Sequence, residues 1–419
     1  MRAPYDLAVV GLGYAGLPLA MAASRAGLRV AGLDTDAERV ARLSAGGSYV
    51  DDVPAGEVAG ALAAGFTATT DPDVLAGASA IAICVPTPVR DEQPDLTAVT
   101  DTVGLIAPRL RPGALVVLES TTYPGTTTDL LLPVLAAGGR TVGKDFFLAY
   151  SPERIDPGNP AYRLDNTPKI VGGVTPECAH AASALYEPLV QKVISVSTPA
   201  AAETAKLLEN TYRQVNIALV NELAVFCNGM GIDVWEVVAA AGTKPFGFQS
   251  FHPGAGVGGH CIPVDPRYLA FRGRSVGSPL RIVEVAQEIN DAMPGIVVER
   301  ITRILNDQRR SVRSARVLLL GATYKPDIAD DRGAPLVPVA ERLHRLGARV
   351  AFHDPYVERA DVAGLTLRCE ESLEDAVARA DLVVLLQAHR EYDVVTLADR
   401  AGLFFDTSGR AAGSGVTLL

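Results

Sequence analysis

A glycine-rich turn close to the N-terminus constrains the fold of this 419-residue chain more than any other feature. The turn, GLGYAG at residues 11–16, directly follows a short apolar run at residues 6–10. A helical pattern at residues 17–26 and a second strand pattern at residues 28–34 come next. Strand, glycine-rich turn, helix and strand in this order predict a βαβ unit within a parallel sheet.

Strand patterns of the same kind recur in both terminal parts of the chain. They lie at residues 6–10, 28–34, 81–85 and 114–118 in the first part, and at 316–321, 348–354, 380–386 and 402–406 in the last. Segments long enough for helices separate them. Because strands that alternate with helices form parallel sheets, we predict an α/β protein with two doubly wound, Rossmann-like parallel-sheet domains.

A helical pattern fills the middle of the chain. Residues from Ala200 to about Gly229 form a run without internal glycine or proline, with apolar side chains at helical spacings. A second helical stretch at residues 279–306 is expected to be interrupted near Pro294. We predict a helical central domain whose long helix offers a dimer interface, and hence a homodimer. The predicted domains span residues 1–196, 197–300 and 301–419.

Charge and cysteine content exclude several classes of protein. The 38 basic and 48 acidic side chains give a formal net charge of -10, which disfavours binding to nucleic acid or to an anionic membrane. The longest apolar runs are strand-sized, far below the roughly 20 residues of a membrane-spanning helix. Five cysteines without paired spacing fit reduced thiols better than a disulfide framework. We expect a cytoplasmic protein.

The glycine-rich turn predicts a dinucleotide site. It opens a helix whose N-terminal amides can hold a pyrophosphate. Asp34 lies at the end of the second strand, where a carboxylate accepts hydrogen bonds from ribose hydroxyls and repels a 2′-phosphate. This arrangement favours NAD over NADP. The alternative is that the glycines only shape a tight turn, with Asp34 a coincidence.

Cys261 lies in a loop rich in glycine and proline, at residues 251–266. Such a loop lets backbone amides approach a ligand and holds the thiol in a fixed direction, as a covalent catalyst requires. A free cysteine is more often a small buried hydrophobe, and Cys84 and Cys227 fit that description. Neighbouring His260 raises the question of a metal, but without paired Cys or His spacing we expect none. A thiol beside a hydride acceptor suggests oxidation of an alcohol through a thioester to a carboxylate.

Other polar residues fit the same chemistry and have simpler alternatives. Lys206 and Asn210 share a face of the long helix, where they could stabilise an oxyanion or, with Glu203, form a solvated charged stripe. The loops at residues 85–88 and 119–127 could line the nicotinamide or be ordinary turns. Glu153 could activate a water or lie exposed in its loop.

The second sheet begins differently from the first. Its first turn, at residues 321–326, lacks the GxGxxG spacing, so we expect no second dinucleotide there. A phosphorylated substrate held by Lys325 fits this turn better.

Taken together, these motifs resemble the UDP-glucose/GDP-mannose dehydrogenase family of NAD-dependent nucleotide-sugar 6-dehydrogenases, collinearly over essentially the whole chain. The motifs are GLGYAG (11–16), VPTP (85–88), STTYPGTT (120–127), SPER (151–154), ETAKLLENTYRQVNIALVNELA (203–224), GVGGHCIPVDP (256–266), YKPDIADDRGAP (324–335) and HDPY (353–356).

The resemblance implies a four-electron oxidation of a sugar C6 hydroxyl with two NAD, in which Cys261 is the nucleophile. It further implies that Lys206 and Asn210 stabilise the oxyanion, that Asp265 and Thr121 place waters or protons, and that Glu153 serves the acid/base step. It assigns a nucleotide sugar to the C-terminal domain and dimers to the long helix. Cofactor contacts are expected from Gly11, Gly13, Tyr14, Ala15, Gly16, Asp34, Arg39, Pro86, Thr87, Ser120, Thr121 and Arg332. Substrate contacts are expected from Glu153, Arg154, Lys206, Asn210, Phe246, Phe248, Phe251, Gly258 and Lys325.

The sequence around the thiol narrows the choice of sugar substrate. Many glucose-specific members carry Ser and Lys at the positions of His260 and Val264. The sequence of this chain instead resembles the branch of the family that acts on UDP-N-acetylhexosamines in making surface polysaccharides. UDP-glucose, or a TDP-linked sugar of secondary metabolism, remains an alternative. So do a two-electron dehydrogenase of the β-hydroxyacid type and a non-catalytic nucleotide-sugar binder.

Overall fold

The computed structural model describes residues 3–50, 52–90, 93–156, 159, 161–413 and 415–419. The chain divides into two compact units. Unit 1 comprises Met1–Glu209 and Arg267–Pro279, and unit 2 comprises Asn210–Pro266 and Leu280–Leu419. The predicted boundaries of three domains remain predictions.

Unit 1 contains an eight-stranded sheet and a two-stranded hairpin. Its strands are β1 (Tyr5–Val10), β2 (Val30–Leu33), β3 (Thr67–Thr69), β4 (Ala78–Ile83), β5 (Val89–Arg90), β6 (Gln93–Pro94), β7 (Leu115–Leu118), β8 (Phe147–Tyr150), β9 (Lys169–Gly173) and β10 (Val193–Val196). The sheet order is β10-β9-β8-β7-β4-β1-β2-β3, and β5 pairs with β6. All neighbours in the sheet are parallel except β8 and β9.

Helices of unit 1 connect these strands. They are α1 (Gly16–Arg25), α2 (Ala37–Ser44), α3 (Ala55–Ala63), α4 (Thr97–Ile106), α5 (Leu132–Leu135) and α6 (Pro176–Tyr186). Strands β2 and β7 are buried at every residue. Burial on both faces explains why they read as continuous apolar runs rather than as alternating ones.

The long central helix, α7, spans Pro199–Met230, 32 residues, as predicted. Its first turns are held by Glu203, which is fully buried and accepts hydrogen bonds from Gly125 N at 2.6 Å and Thr127 N at 2.9 Å. The hydroxyl of Thr127 donates to the same carboxylate at 2.7 Å. Burial raises the pKa of Glu203, although these hydrogen bonds oppose the shift. Glu203 and Lys206, which is only 6% exposed, therefore do not form a solvated stripe.

Unit 2 contains the second sheet. The remaining elements of the chain are α8 (Val234–Gly242), α9 (Asp265–Ser275), α10 (Arg281–Asp307), β11 (Arg316–Leu320), α11 (Leu336–Arg345), β12 (Arg349–His353), β13 (Arg359–Val362), β14 (Leu365–Arg368), α12 (Leu373–Arg379), β15 (Leu382–Leu385), α13 (Val394–Arg400), β16 (Phe404–Asp406) and β17 (Val416–Leu418). Five parallel strands lie in the order β12-β11-β15-β16-β17, and β13 pairs with β14. The prediction of two parallel-sheet, Rossmann-like domains with a long central helix is confirmed.

One prediction about the helices is wrong. Helix α10 continues without interruption through Pro294. Proline removes one backbone hydrogen bond, but Met293, Val297 and Ile301 are fully buried in the core of unit 2. We infer that this packing outweighs the missing bond. No helix among the described residues is long and apolar enough to span a bilayer.

The buried carboxylate of Glu203 gives a test of stability. In Glu203→Gln, an amide N–H would face the Gly125 N–H, so one buried donor would lose its acceptor, and we expect a loss of about 1–3 kcal/mol in the free energy of unfolding. Urea unfolding would measure it, with Arg213→Gln at an exposed position of the same helix as the control. Equal stability of the two variants would contradict the anchoring role.

Candidate active site

The predicted cofactor residues of unit 1 lie along one edge of its sheet. Strands β8, β7, β4, β1 and β2 are consecutive and parallel, so their carboxyl ends share this edge. Ligands of doubly wound sheets bind at such an edge. The residues that follow these strand ends are Gly11–Gly16 after β1, Asp34 after β2, Pro86 and Thr87 after β4, Ser120 and Thr121 after β7, and Glu153 and Arg154 after β8.

The three glycines of the turn after β1 differ in how much space surrounds them. Gly11 has a φ of +89°, and a Cβ there would lie 2.6 Å from the carbonyl oxygen of Cys84. A Cβ at Gly16 would lie 1.9 Å from the carbonyl oxygen of Gly11. A Cβ at Gly13, by contrast, would meet no described atom within 4 Å. Gly11 and Gly16 are thus required by packing, whereas Gly13 leaves the backbone open to a ligand such as a pyrophosphate.

Asp34 is placed to recognise a ribose and also supports the turn. Its two carboxylate oxygens accept hydrogen bonds from Leu12 N at 2.8 Å and Asp36 N at 2.9 Å. The Arg39 guanidinium lies 3.9 Å from the carboxylate, which is 7% exposed. Each oxygen retains a further lone pair for a ribose hydroxyl. Any substitution of Asp34 would therefore disturb the turn as well as the ligand.

The loop after β4 is held by two side chains. Ser120, a predicted cofactor residue, donates its hydroxyl to the carbonyl of Val85 at 2.7 Å. Tyr268, in α9, donates to the carbonyls of Thr87 at 3.0 Å and Pro88 at 3.2 Å. The sequence did not indicate Tyr268, because only the fold brings this part of α9 to a loop about 180 residues away.

A buried ionic network supports the segment that carries Glu153. Lys169 Nζ donates to Glu119 at 2.5 Å and to the carbonyl of Pro152 at 3.1 Å. The hydroxyl of Tyr186 donates to the same Glu119 carboxylate, and burial raises the pKa of Tyr186. Sequence reasoning missed this network, although a lysine at the start of an apolar strand was a signal.

Arg154 and Glu153, both in that segment, contact different groups. Arg154 contacts the Pro168 carbonyl at 2.6 Å and Glu209 at 2.7 Å. The Glu153 carboxylate accepts a hydrogen bond from the Ile155 N–H. Arg154 therefore braces the loop within unit 1.

In unit 2, the predicted nucleophile is accessible. Cys261 is exposed, whereas Cys178 and Cys227 are buried. The carbonyl of Cys261 accepts hydrogen bonds from Val264 N at 3.1 Å and Asp265 N at 2.8 Å, which form the turn before α9. The description of Cys261 as a buried hydrophobe is thus excluded.

Asp265, at the first residue of α9, is 3% exposed and lies four residues after the thiol. Its carboxylate accepts a hydrogen bond from Asn210 Nδ2 at 2.5 Å. Two of the predicted catalytic residues are therefore in direct contact. Lys206 lies one turn before Asn210 on α7 and belongs to unit 1.

Buried amides anchor the beginning of the thiol loop. Asn221 Oδ1 accepts a hydrogen bond from Gly254 N at 2.9 Å, and Asn221 Nδ2 donates to Asn290 at 2.9 Å. Both asparagines are at most 3% exposed. Sequence reasoning missed them, although an amide within an apolar helical run was a signal.

Other predicted substrate residues of unit 2 fall into two groups. Phe246 and Phe248 are exposed, while Phe251 packs against Tyr212 with ring centroids 5.8 Å apart. Gly258 lies against the loop of residues 323–333, and Lys325 lies in it, as does Arg332, which is a predicted cofactor residue. Arg332 forms a bidentate ion pair with Asp330 at 2.6 and 2.8 Å.

The surroundings of His260, next to the thiol, favour the neutral form of its imidazole. Burial, and then the nearby Arg332, lower its pKa. Among the described residues, no group of three or more His, Cys, Asp and Glu side chains could hold a metal ion.

The chain is similar to known proteins over most of its length. Models of the UDP-glucose/GDP-mannose dehydrogenase family match residues 5–190 (NAD binding domain), 200–292 (central domain) and 318–410 (UDP binding domain). The chain is 39% identical over 358 residues to the UDP-N-acetyl-D-glucosamine 6-dehydrogenase of Pseudomonas aeruginosa, an overlap of 85% of this chain and 84% of that protein.

Solved structures are similar over the whole length. UDP-D-ManNAc dehydrogenase from Pyrococcus horikoshii has a TM-score of 0.89 and 30% identity, covering 100% of this chain and 98% of that one. A UDP-glucose dehydrogenase from Pyrobaculum islandicum has a TM-score of 0.86 and 25% identity, with the same coverage.

The three glycines of the turn give a matched pair of variants. Gly13→Ala should leave stability unchanged and weaken NAD binding roughly tenfold, because the added methyl group meets no atom of the described residues but obstructs the ligand. Gly16→Ala should instead lower the free energy of unfolding by about 1–3 kcal/mol through overpacking. Calorimetric titration with NAD and thermal melting would separate the two effects. Unchanged affinity in Gly13→Ala would remove this turn from the cofactor site.

Proposed function

Because the chain belongs to the UDP-glucose/GDP-mannose dehydrogenase family, we propose that it oxidises the C6 hydroxyl of a UDP-N-acetylhexosamine to a carboxylate. The chain is an NAD-dependent nucleotide-sugar dehydrogenase, and this proposal adds the sugar and the covalent route. Relatives named for UDP-N-acetyl-D-glucosamine and UDP-N-acetyl-D-mannosamine support the sugar. The observation that carries the route is an exposed Cys261 in a fixed turn, four residues before the buried Asp265, which accepts a hydrogen bond from the half-buried Asn210.

The proposed reaction is balanced with two equivalents of cofactor. NAD held by the glycine turn after β1 would supply the hydride acceptor. The sugar alcohol loses a proton and a hydride to give an aldehyde, and the Cys261 thiol adds across its C=O bond to give a thiohemiacetal. Loss of a second hydride and proton leaves a thioester. Water then cleaves the C–S bond, so one alcohol and one water yield a carboxylate, two hydrides and three protons.

Roles for the remaining residues follow their charge and contacts. Lys206 is a buried cation and is assigned to the oxyanion, where a low dielectric strengthens its effect. Asn210 has a second N–H beyond the one that it gives to Asp265, and this donor is assigned to the same oxyanion. Asp265 is assigned to proton movement beside the thiol, and Glu153, with Thr121, to the water that cleaves the thioester.

The thiol gives the most direct test. Cys261→Ala should lower carboxylate formation at least 1000-fold, because no thioester can form, and should leave NAD affinity within about twofold. Mass spectrometry of the sugar product and titration with NAD would measure the two. Cys227→Ala, which removes a buried thiol elsewhere in unit 2, serves as the control. Carboxylate formation at the normal rate in Cys261→Ala would refute the covalent route.

Product counting separates the alternative reactions. The wild-type protein should release two NADH per sugar, whereas a two-electron dehydrogenase would release one and a non-catalytic binder none. Absorbance at the NADH band, followed with a panel of UDP-, TDP- and GDP-sugars, would also decide between N-acetylhexosamine and glucose. A preference for UDP- or TDP-glucose would overturn the proposed substrate.

An exposed apolar stripe on α7 supports a homodimer. Leu208, Tyr212, Leu219, Phe226 and Met230 are between 48% and 63% exposed. Their spacings of four and seven residues place them on one side of the helix. Such a stripe on a surface helix is typical of an interface between protein chains, and we assign it to a second copy of this chain.

The stripe predicts the effect of a charge. Leu219→Glu should convert a dimer to a monomer, because a carboxylate would be buried without a partner. Sedimentation velocity would measure the mass, and Arg213→Glu, exposed on another side of α7, is the matched control. A dimer that persists in Leu219→Glu would contradict this interface.

A further inference from the structure

His389 is a buried histidine in unit 2 that the proposed reaction does not use. Its side chain is fully buried in the segment between β15 and α13. Nδ1 lies 3.0 Å from the backbone N–H of Asp327, and Nε2 lies 2.9 Å from Asp354 Oδ2. Because a backbone N–H can only donate, Nδ1 is the acceptor, so the neutral ring carries its proton on Nε2 and donates it to Asp354.

Asp354 is a rigid support for the ring. It stands after β12 as Asp34 stands after β2, and it accepts hydrogen bonds from Ala322 N at 2.5 Å and Tyr356 N at 2.7 Å. Burial acts to raise the pKa of Asp354, but the hydrogen bonds from His389 and the backbone outweigh it and lower the pKa overall. The carboxylate is therefore an ionised acceptor that fixes the position of the imidazole.

The other side of the ring holds a strained residue. Asp327 has a φ of +63°, in the left-handed region that costs about 1 kcal/mol or more for a residue with a side chain. Its carboxylate accepts hydrogen bonds from Arg390 N at 2.7 Å and from the Arg390 guanidinium at 3.1 Å. The bond from Asp327 N to His389 completes this clamp at the middle of the loop of residues 323–333.

This loop supports the thiol loop. Gly259 N donates to the carbonyl of Arg332 at 2.9 Å. A Cβ at Gly258 would lie 2.6 Å from Tyr324 Cβ and 2.7 Å from the carbonyl oxygen of Gly333. The backbone two residues before Cys261 is thus in contact with the loop of residues 323–333, without space for a side chain.

We propose that His389 is a positioning residue for Cys261, acting through the Asp327 backbone, the loop of residues 323–333 and Gly258–Gly259. The inference rests on the proposed function, because it concerns the capture of the aldehyde by the thiol. If His389 no longer holds the loop, Cys261 is displaced, and part of the aldehyde formed in the first oxidation escapes before the thiohemiacetal forms.

Two substitutions separate the two nitrogens of the ring. In His389→Gln, the amide nitrogen reaches the place of Nε2 and can donate to Asp354, but Asp327 N–H loses its acceptor. In His389→Asn, the amide oxygen takes the place of Nδ1 and can accept from Asp327 N–H. Asp354 then loses the hydrogen bond that the ring donated and keeps those from the backbone. Both variants lose the ring that packs against Tyr356 and Tyr392. They therefore share the loss of the ring, and each keeps a different one of its two hydrogen bonds.

The test counts products in the presence of semicarbazide, which traps free aldehyde. The wild-type protein should give two NADH per carboxylate and little trapped aldehyde. His389→Gln should give more than two NADH per carboxylate, with roughly fivefold more trapped aldehyde than His389→Asn, the effect of losing one backbone hydrogen bond. A loss of folded protein would reduce both products equally and would leave the ratio at two. A ratio of two in His389→Gln, or equal trapping in both variants, would overturn the inference.

Two further variants test the same path without a substitution at His389. Gly258→Ala acts at the other end of the same path and should also raise the NADH-to-carboxylate ratio. Arg379→Ala removes a surface ion pair with Glu370 that is no part of this path, so it should keep the ratio at two. An unchanged ratio in Gly258→Ala would show that this loop does not position the thiol. One NADH per sugar in the wild-type protein would instead refute the proposed function.

Discussion

The order of the parallel strands in unit 1 is the constraint on which the rest depends. The chain leaves β1 to form β2 on one side and later places β4 on the other, so the loops after β1 and β4 diverge and leave a crevice between them. The backbone of Gly11 closes the base of this crevice, because no side chain fits between it and the Cys84 carbonyl. In unit 1, the groups expected to contact the cofactor lie in the segments that follow β1, β2, β4 and β7.

Unit 2 repeats this geometry for a different purpose. Gly321 has a φ of +91°, close to that of Gly11, and a Cβ there would lie 2.6 Å from the Gln387 carbonyl oxygen. Asp354 supports the second turn as Asp34 supports the first. In unit 2, however, His389 occupies the space beside the carboxylate, and the loop that follows the turn contacts the thiol loop. The same fold thus offers an open carboxylate in one unit and a closed one in the other.

Buried polar groups, more than apolar packing, fix the candidate catalytic residues. Asn221, Asn290, Glu119 and Lys169 are all at most 4% exposed, and each contacts backbone or side chains next to a loop of the site. A buried polar group loses more when its partner is removed than it gains from an ordinary contact. Such groups therefore allow few alternative loop conformations, which a covalent catalyst requires.

The sequence by itself determined the two parallel-sheet domains, the long helix, the glycine turn and the exposed thiol loop, because hydrophobic periodicity and glycine spacing are local properties of the chain. It could not determine that α10 passes through Pro294, since that depends on the packing of Met293 and Ile301 in the core. Only the tertiary structure decided which polar residues hold the site. Tyr268, Asn290 and His389 act on residues between 62 and 181 positions away, and contacts over such distances leave no periodic signal in the sequence.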